Sequence, residues 1–525
     1  MTDLGFWRLA AADPDALAVV DVDGAEVSRG ELVGRAHAFS RLLRGRGLER
    51  GDRVVGVVAN ESSALALVLA CQQVGAYYVP VNTSLTTDEV GYIVADSQPV
   101  AVVTSQRYAP TVASALDQVA FPADDRFALG LAEGFHDLVA LTHDVSAEPV
   151  DDRSPGSYLG YTSGTTGRPK GVLRPLPEGD PDDVFAAGAA WQLGMFGIEP
   201  LDDGVHLVTS PLSHTAVSGL AVTSLHYGHA VVLMPRFDAE DVLRLVQDRR
   251  VTTTHMVPTQ LHRLLRLPDE TRSAYDVSSM RNLVHGAGPC SESIKRAVID
   301  WFGPVVHEYY GATEAAGTCI TSAEWLERPG SVGRAQPGAE VRVLDHAGAD
   351  VPTGEPGTVY LKMGRHAFEY RGDAGKTDAG RRGDYVTVGD LGRLDADGYL
   401  FLLGRTAEVI VTGGVNVYPA EVEAALLDHP EVQDVGVIGL PDPEWGESVT
   451  AVVQVAPDSP FAASPERAAS ELEEFLRDRL ARFKVPRTYQ VVAELPRGAN
   501  GKLRKHLLPD LVPDAEPDRK AVPSS

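Results

Sequence analysis

Blocks of apolar residues with two different spacings alternate along the chain. A Val-rich run at 52–60 predicts a strand, and an Ala/Leu-rich segment at 61–76 has the spacing of a buried helix. The same order recurs downstream, with strands at 205–212, 229–237 and 252–258 and helices at 238–250 and 259–267. Alternating strand and helix units are typical of mainly parallel sheets covered by helices, so the pattern predicts an α/β fold.

Two later regions depart from this alternation. Within 339–405, strand-like runs follow one another with only Gly, Pro and Asp turns between them, which predicts a small antiparallel, barrel-like sheet. After Gly404 come a helix opened by Pro419, two strands and a charged amphipathic helix, which predict a small α+β domain. We therefore expect a large N-terminal domain (1–403), a small mobile C-terminal domain (404–510) and a disordered, Pro-rich tail (511–525).

Charge and cysteine content exclude several classes of protein. The 525 residues include 73 acidic and 47 basic side chains, a net charge of −26, which disfavours nucleic acid or an anionic membrane as the main partner. Three scattered cysteines favour a reducing compartment over a disulfide framework. Neither a secretory signal nor a membrane-spanning apolar run is evident, so we expect a cytoplasmic protein that is not integral to a membrane.

The stretch YTSGTTGRPKG (161–171) is the first candidate for chemistry. Arg168 and Pro169 separate Gly167 from Lys170, so the spacing differs from that of a P-loop, and strand-like residues follow. The pattern predicts a strand-loop-strand unit whose amides, hydroxyls and lysine suit a phosphate. Taken alone, a mobile Ser/Gly surface loop is an equally good interpretation. The candidate ATP ligands here are Thr162, Ser163, Gly164, Thr165, Thr166, Gly167 and Lys170.

Four further motifs follow in order. They are EYYGATE (308–314), TVGDLGRLDADGYLFLLGR (387–405), VTGGVNVYPAEVE (411–423) and PRGANGKLRK (496–505). With the 161–171 loop, this ordered set resembles the adenylate-forming superfamily of acyl-CoA synthetases, peptide-synthetase adenylation domains and firefly luciferase. Within it, the chain looks most like actinobacterial acyl-CoA synthetases for fatty or steroid-derived acids.

The resemblance implies a reaction and assigns residues to it. A carboxylic acid would attack the α-phosphate of ATP in the presence of Mg²⁺, and coenzyme A would then displace AMP from the acyl-adenylate. The implied catalytic residues are Lys502, Glu314 (also the Mg²⁺ ligand), Thr313 and His214, the last as a gate beside the acid. Further implied ATP contacts are Gly286, Ala287, Gly288, Tyr309, Tyr310 (stacking on adenine), Gly311, Asp390 (on the ribose) and Arg405.

The resemblance also implies movement of the C-terminal domain. It places the coenzyme A tunnel at Thr412, Gly413 and Gly414 and the hinge at Arg405, Ala407 and Glu408. Two positions depart from the family pattern: Ser213 stands where many members have tyrosine, and Ala407 where many have Asp or Lys. These departures leave the pocket shape and the pivot open.

Each assignment has a plainer alternative. Asp390 could cap a turn, Arg405 could form a surface ion pair, and Lys502 could belong to a solvated basic tail. The ordered motif set favours the functional interpretation. For the whole chain, the alternatives are activation of nitrite for diazotisation of an aromatic amine, or an inactive nucleotide-binding scaffold. The sequence does not identify the acid, and a homodimer is expected only as the commonest assembly.

Overall fold

A computed structural model describes residues 3–162, 169–363, 368–372, 374–498 and 502–513. Its helices in chain order are α1 Phe6–Ala12, α2 Arg29–Gly45, α3 Ser62–Gln73, α4 Thr87–Ser97, α5 Ala109–Gln118, α6 Leu138–Thr142, α7 Pro181–Gly194, α8 Thr215–His226, α9 Ala239–Arg249, α10 Pro258–Leu265, α11 Asp269–Ser273, α12 Glu292–Phe302, α13 Ser322–Glu327, α14 Ala374–Ala379, α15 Pro419–Leu427, α16 Pro460–Ala463 and α17 Pro465–Arg477.

The strands are β1 Leu17–Val20, β2 Glu26–Ser28, β3 Arg53–Val57, β4 Tyr77–Pro80, β5 Ala101–Ser105, β6 Arg126–Leu129, β7 His136–Asp137, β8 Ser157–Tyr158, β9 Gly160–Thr162, β10 Lys170–Leu173, β11 Val205–Val208, β12 Ala230–Leu233, β13 Thr253–Met256, β14 Asn282–His285, β15 Val306–Gly311, β16 Ala316–Ile320, β17 Arg334–Ala335, β18 Ala339–Leu344, β19 Gly357–Met363, β20 Glu369–Tyr370, β21 Arg381–Arg382, β22 Tyr385–Val386, β23 Asp390–Leu394, β24 Leu400–Arg405, β25 Ile410–Thr412, β26 Val415–Val417, β27 Val432–Asp442, β28 Gly446–Val455 and β29 Thr488–Val492.

Two large sheets form the N-terminal part, as the alternating pattern predicted. One has nine strands in the order β17-β16-β15-β14-β13-β11-β12-β1-β2, parallel from β15 to β1, and the other has six parallel strands in the order β7-β6-β5-β3-β4-β8. Helices α2, α3 and α8 are buried between these sheets in one apolar cluster, while α9, α10 and α12 cover the outer face of the nine-stranded sheet. The α/β prediction is confirmed.

The prediction of a small antiparallel sheet within 339–405 is also confirmed. Strands β18, β19 and β21 to β24 form a six-stranded antiparallel sheet, and β9, β10 and β20 form a separate three-stranded one. The predicted domain boundary at 403/404 lies within β24.

The C-terminal part is a five-stranded sheet, β25 to β29, packed on α15 and α17. Beyond it, the first residues of the predicted tail are ordered: Pro509–Leu511 form a 3-10 turn, and Val512 is buried beside Leu508 and Leu495. Residues 514–525 of that tail lie outside the described residues.

Candidate active site

The strands that flank the 161–171 loop pair with each other. Thr162 of β9 is opposite Lys170 of β10 in antiparallel register, which confirms the strand-loop-strand prediction. The predicted ligands Ser163, Gly164, Thr165, Thr166 and Gly167 lie outside the described residues. Thr162 lines a large cleft between the N-terminal and C-terminal parts of the molecule.

Arg174, which directly follows β10, joins this unit to the EYYGATE motif. Its Nη2 donates to the carbonyl oxygens of Thr313 (2.6 Å) and Glu314 (3.0 Å). Burial lowers the pKa of Arg174, and the nearby Glu314 carboxylate partly offsets that effect. The guanidinium therefore fixes the backbone of two predicted catalytic residues. Sequence reasoning missed it, because an arginine after a short strand has no distinctive pattern.

Three predicted nucleotide residues form one hydrogen-bonded set. The Tyr310 hydroxyl donates to Asp390 Oδ2 at 2.7 Å, and Arg405 Nε donates to Asp390 Oδ1 at 3.1 Å. The register of β23 and β24 causes this contact, because it places Asp390 opposite Arg405. Burial and the adjacent Asp390 carboxylate raise the pKa of Tyr310, so its hydroxyl remains a donor. Both Asp390 oxygens already accept hydrogen bonds, and the residue is buried.

Glu314 and Lys502 face the same cleft from opposite domains. Glu314 is buried, and its Oε1 accepts a 2.8 Å hydrogen bond from the Tyr370 hydroxyl, whose pKa is raised by burial and by the Glu314 charge. The pKa of Lys502 is lowered by enclosure between the cleft walls and by Arg405, while Asp390 and Glu314 oppose that shift. The structure thus brings Lys502 within electrostatic reach of the predicted ribose and magnesium ligands. Thr313 and Gly311 line the same cleft.

His214 stands at the N-terminus of α8, where the cleft enters the large domain. Its Nε2 is buried with no hydrogen-bond partner among the described residues, and the Oγ of the neighbouring Ser213 is in the same state. Burial and the charge of Lys502 lower the pKa of His214 to about 4. The imidazole is therefore neutral at physiological pH and is near the lysine.

The glycine-rich segment after β14 approaches β15 closely. A Cβ on Gly286 would lie 2.8 Å from the Tyr309 carbonyl oxygen, and Ala287 has a φ of 65°. Ala287 and Gly288 line the cleft, as do Tyr309 and Tyr310, whereas Gly286 packs behind Tyr309. The close approach of Gly286 is thus made to a tyrosine of the next strand.

The predicted tunnel residues are not brought to this cleft. Thr412, Gly413 and Gly414 form the turn of the β25–β26 hairpin, and the Gly413 amide donates to the Trp445 carbonyl at 2.8 Å. The predicted hinge residues Ala407 and Glu408 lie in a 3-10 turn between β24 and β25 and line the cleft. Glu408 forms an ion pair with Lys505 at 2.9 Å, and Lys505 also pairs with Glu423 at 2.8 Å.

A buried ion pair supports the nucleotide side of β15. Lys295 of α12, which is 1% exposed, lies 2.5 Å from the Glu308 carboxylate and 5.0 Å from the centre of the Trp325 ring. Burial raises the pKa of Glu308, and Lys295 opposes that effect. The sequence contains one signal for this pair. Lys295 interrupts the apolar face formed by the buried residues Ile294, Val298 and Ile299.

Two features are absent from the described ranges. These ranges contain no group of three His, Cys, Asp or Glu residues arranged to hold a metal ion. None of the helices in that part of the chain has the length and apolar character that a membrane crossing requires.

Comparison with known proteins agrees with this geometry. The model of the AMP-binding enzyme family matches residues 6–369, and that of the AMP-binding enzyme C-terminal domain matches 421–502. A feruloyl-CoA synthase of Amycolatopsis sp is 33% identical over 96% of this chain and 97% of its own. A fatty acid–[acyl-carrier-protein] ligase of Streptomyces coeruleorubidus is 31% identical over 95% of this chain and 94% of its own. The o-succinylbenzoate CoA synthetase of Bacillus subtilis, solved with its acyl-adenylate intermediate, superimposes with a TM-score of 0.79 at 26% identity, over 96% of this chain and 97% of that one.

Proposed function

We propose a residue-level mechanism for this chain, which belongs to the AMP-binding enzyme family and is an AMP-forming acid–thiol ligase. It activates a carboxylic acid with ATP and passes the acyl group to coenzyme A. In the first step, a carboxylate oxygen bonds to the α-phosphorus, and the bond to pyrophosphate breaks. In the second, the thiol sulfur bonds to the acyl carbon, AMP leaves, and the thiol proton passes to solvent.

One observation carries the assignment of roles: Lys502 of the C-terminal part shares a cleft with Glu314, Asp390 and Arg405 of the N-terminal part. We assign Lys502 the role of stabilising the negative charge that develops between the α-phosphate and the departing pyrophosphate. A fixed cation in a water-poor site stabilises the charge of the transition state more strongly than it stabilises the ground state. Asp390 would accept the ribose hydroxyls, exchanging its present contacts with Tyr310 or Arg405.

Magnesium fits the residues present. Glu314 is a buried carboxylate, and one of its oxygens accepts a hydrogen bond from the Tyr370 hydroxyl. In phosphate sites, Mg²⁺ is commonly bound by one or two carboxylates together with substrate oxygens and water. Glu314 would hold the ion, which when bound would neutralise phosphate charge. Arg174 would keep the Glu314 backbone in place.

Transfer to coenzyme A requires a different position of the C-terminal domain. Lys502 occupies the cleft while Thr412–Gly414 turn away from it, so the arrangement suits the adenylation step. We infer that rotation about 405–408 withdraws Lys502 and brings the β25–β26 turn to the thiol path. The Glu408–Lys505 ion pair spans this segment and would have to break or follow the rotation.

The working context is inferred from the side chains. All three cysteines are unpaired and Cys71 is buried, which suits the cytoplasm. A homodimer is the assembly that we expect, since twofold assemblies are the commonest.

Pyrophosphate release with a panel of acids, with and without coenzyme A, tests the proposal. Lys502→Ala should lower acid-dependent release by about 10²- to 10³-fold, the usual effect of removing one preorganised group that stabilises transition-state charge. Lys484→Ala is the matched control, because Lys484 forms a surface ion pair with Glu421. The thiol step, started from synthetic acyl-adenylate, should survive Lys502→Ala. Release that requires nitrite and an aryl amine, or no release at all, would overturn the proposal.

A further inference from the structure

The strand register defines a second compartment of the cleft. Parallel pairing places His255 beside Val284 and Val284 beside His307, so these side chains share one face of the sheet. Tyr309, two residues after His307, lies on that face as well, and the hydroxyl of Tyr309 is 3.1 Å from His255 Nε2. Val284 and Tyr309 belong to an apolar cluster with residues of α7 and α8. Residues of this face and of both helices also line the cleft, so a slot lies between them, and His214 stands at its mouth.

Among the described residues, the walls of the slot formed by α7, α8 and the sheet face carry no charged side chain. The cleft-lining residues of α7 and α8, all within described ranges, are Phe185, Gly188, Ala189, Trp191, Gln192, Thr215, Ala216, Val217, Gly219, Leu220, Thr223 and His226. Burial lowers the pKa of His255 to about 4 and raises that of Tyr309 to about 12, so both are neutral at pH 7. An ionised group on the remote end of a substrate would have no counterion here, and burying it would be costly.

Helical geometry gives the distance from the mouth of this slot to one polar pair of its lining. Cβ atoms added to Gly188 and Gly219 would meet no atom within 4 Å, so both glycines face open space. From Thr215 at the mouth to Thr223, α8 advances eight residues, or about 12 Å at the usual helical rise. At that depth, the Thr223 hydroxyl donates to Gln192 Oε1 at 3.1 Å, which places an uncharged polar pair on the lining about 12 Å from the mouth.

Buried polar atoms of the cleft wall are left without partners. His255 is 3% exposed and Gln336 is 4% exposed. His255 Nδ1 and Gln336 Oε1 have no hydrogen-bond partner among the described residues, although the Gln336 amide nitrogen donates to the Thr318 carbonyl at 3.1 Å. Buried polar groups are normally satisfied, so these atoms indicate a polar ligand or bound water. Rings also line the slot, with Tyr309 5.8 Å from His255 and 6.4 Å from Phe196 between centroids.

We propose that the acid is an aryl acid of hydroxycinnamate length, whose ring carries an uncharged hydroxyl or amino group directed to Thr223 and Gln192. This inference rests on the proposed function for its carboxylate end, which must lie beside His214 and Lys502. The neutral walls select against dicarboxylates. The polar pair about 12 Å from the mouth disfavours a long alkyl chain at that depth, and the ring-lined wall favours an aromatic ring.

Calorimetric binding and pyrophosphate release should be measured in parallel with 4-hydroxycinnamate, cinnamate, palmitate and 2-succinylbenzoate. We expect 4-hydroxycinnamate to exceed cinnamate by about 3- to 10-fold in affinity and in kcat/KM, the size of one neutral hydrogen bond. The other two acids should be weaker still. A preference for palmitate or 2-succinylbenzoate overturns the substrate class while leaving acid activation intact. Equal affinity and equal kcat/KM for 4-hydroxycinnamate and cinnamate would do the same. Binding of 4-hydroxycinnamate without ATP cleavage overturns the proposed function and leaves the slot assignment standing.

Two variants locate the substrate in the slot. Gly219→Leu should lower kcat/KM for 4-hydroxycinnamate by more than about 10-fold while changing that for propionate by less than about 3-fold, because overfilling affects only acids that reach this depth. Gly194→Leu, at an exposed glycine on α7 that also has open space around it, is the matched control. Thr223→Val should bring the ratio of kcat/KM for 4-hydroxycinnamate to kcat/KM for cinnamate close to one. Unchanged kinetics in both Gly219→Leu and Thr223→Val would refute the assignment.

Discussion

Tyr309 and Tyr310 are neighbours on β15, yet they face two different chemical environments. Tyr310 meets Asp390 and Arg405 on the face that also carries the Lys295–Glu308 pair. Tyr309 meets His255 and Phe196, where the lining is neutral. Alternation of side chains along a strand is sufficient to separate the two environments. The strand thus divides the cleft into a charged side suited to a nucleotide and an uncharged side suited to the acid.

The two sides differ in what a substitution should cost. On the charged side, Asp390, Glu308 and Lys295 are buried against partners, so removal of one partner leaves a buried charge uncompensated. On the neutral side, the groups interact through packing and single hydrogen bonds, which contribute less individually. The charged side should therefore be intolerant of change, and the neutral side adaptable.

The largest effect is expected from Lys295→Met, which leaves the Glu308 carboxylate buried without its cation. We expect a loss of about 3–5 kcal/mol in the free energy of unfolding, measured by chemical denaturation. Lys295→Met combined with Glu308→Gln should recover a large part of that loss. Arg244→Met removes the exposed ion pairs of α9 and should cost at most about 1 kcal/mol. If the single and double variants were equally unstable, the pair would not be the cause.

A smaller effect, confined to the nucleotide, is expected from Asp390→Asn. Loss of the charged acceptor should raise the KM for ATP by about 10- to 100-fold, the range of a hydrogen bond to a charged group. The KM for the acid should remain nearly constant. Initial rates of pyrophosphate release at varied ATP and varied acid separate the two constants, and an equal rise in both would contradict the division into two sides.

The smallest effect concerns pH on the neutral side. His214 and His255, with pKa values of about 4, are already deprotonated in neutral solution. The KM for the acid should therefore vary by less than about 2-fold between about pH 5.5 and about pH 8, where an ordinary histidine would titrate.

The charged side should show the opposite behaviour at alkaline pH. Because the pKa of Lys502 is lowered, its ammonium loses its proton at a lower pH than an exposed lysine does. The kcat for adenylation should therefore fall as pH rises toward that lowered pKa. Two results would argue against this electrostatic contrast. One is a change in the KM for the acid near the pKa of an ordinary histidine, and the other is a kcat that does not fall at alkaline pH.

Sequence motifs pointed to residues of the charged side, whereas few sequence signals marked the neutral side. ATP chemistry requires particular residues in an ordered set, so Glu314, Asp390 and Lys502 were found from motifs. Arg174, Tyr370 and Lys295 were missed, because their roles depend on contacts between distant segments, such as Arg174 with Thr313. The slot was equally hidden: Gly188, Gly219 and Thr223 resemble ordinary helix residues until α7 and α8 are packed together.

The close packing of Gly286 against the Tyr309 carbonyl has a consequence for how this chain could vary over generations. A side chain at 286 would push β15 along or away from β14, and a shift by one residue would exchange every side chain between the two faces. Tyr310 would then enter the acid slot, and Tyr309 would face Asp390. Lineages can therefore be expected to diversify this strand by replacing residues one at a time, whereas an insertion or deletion within 306–311 would disrupt both proposed substrate sites together.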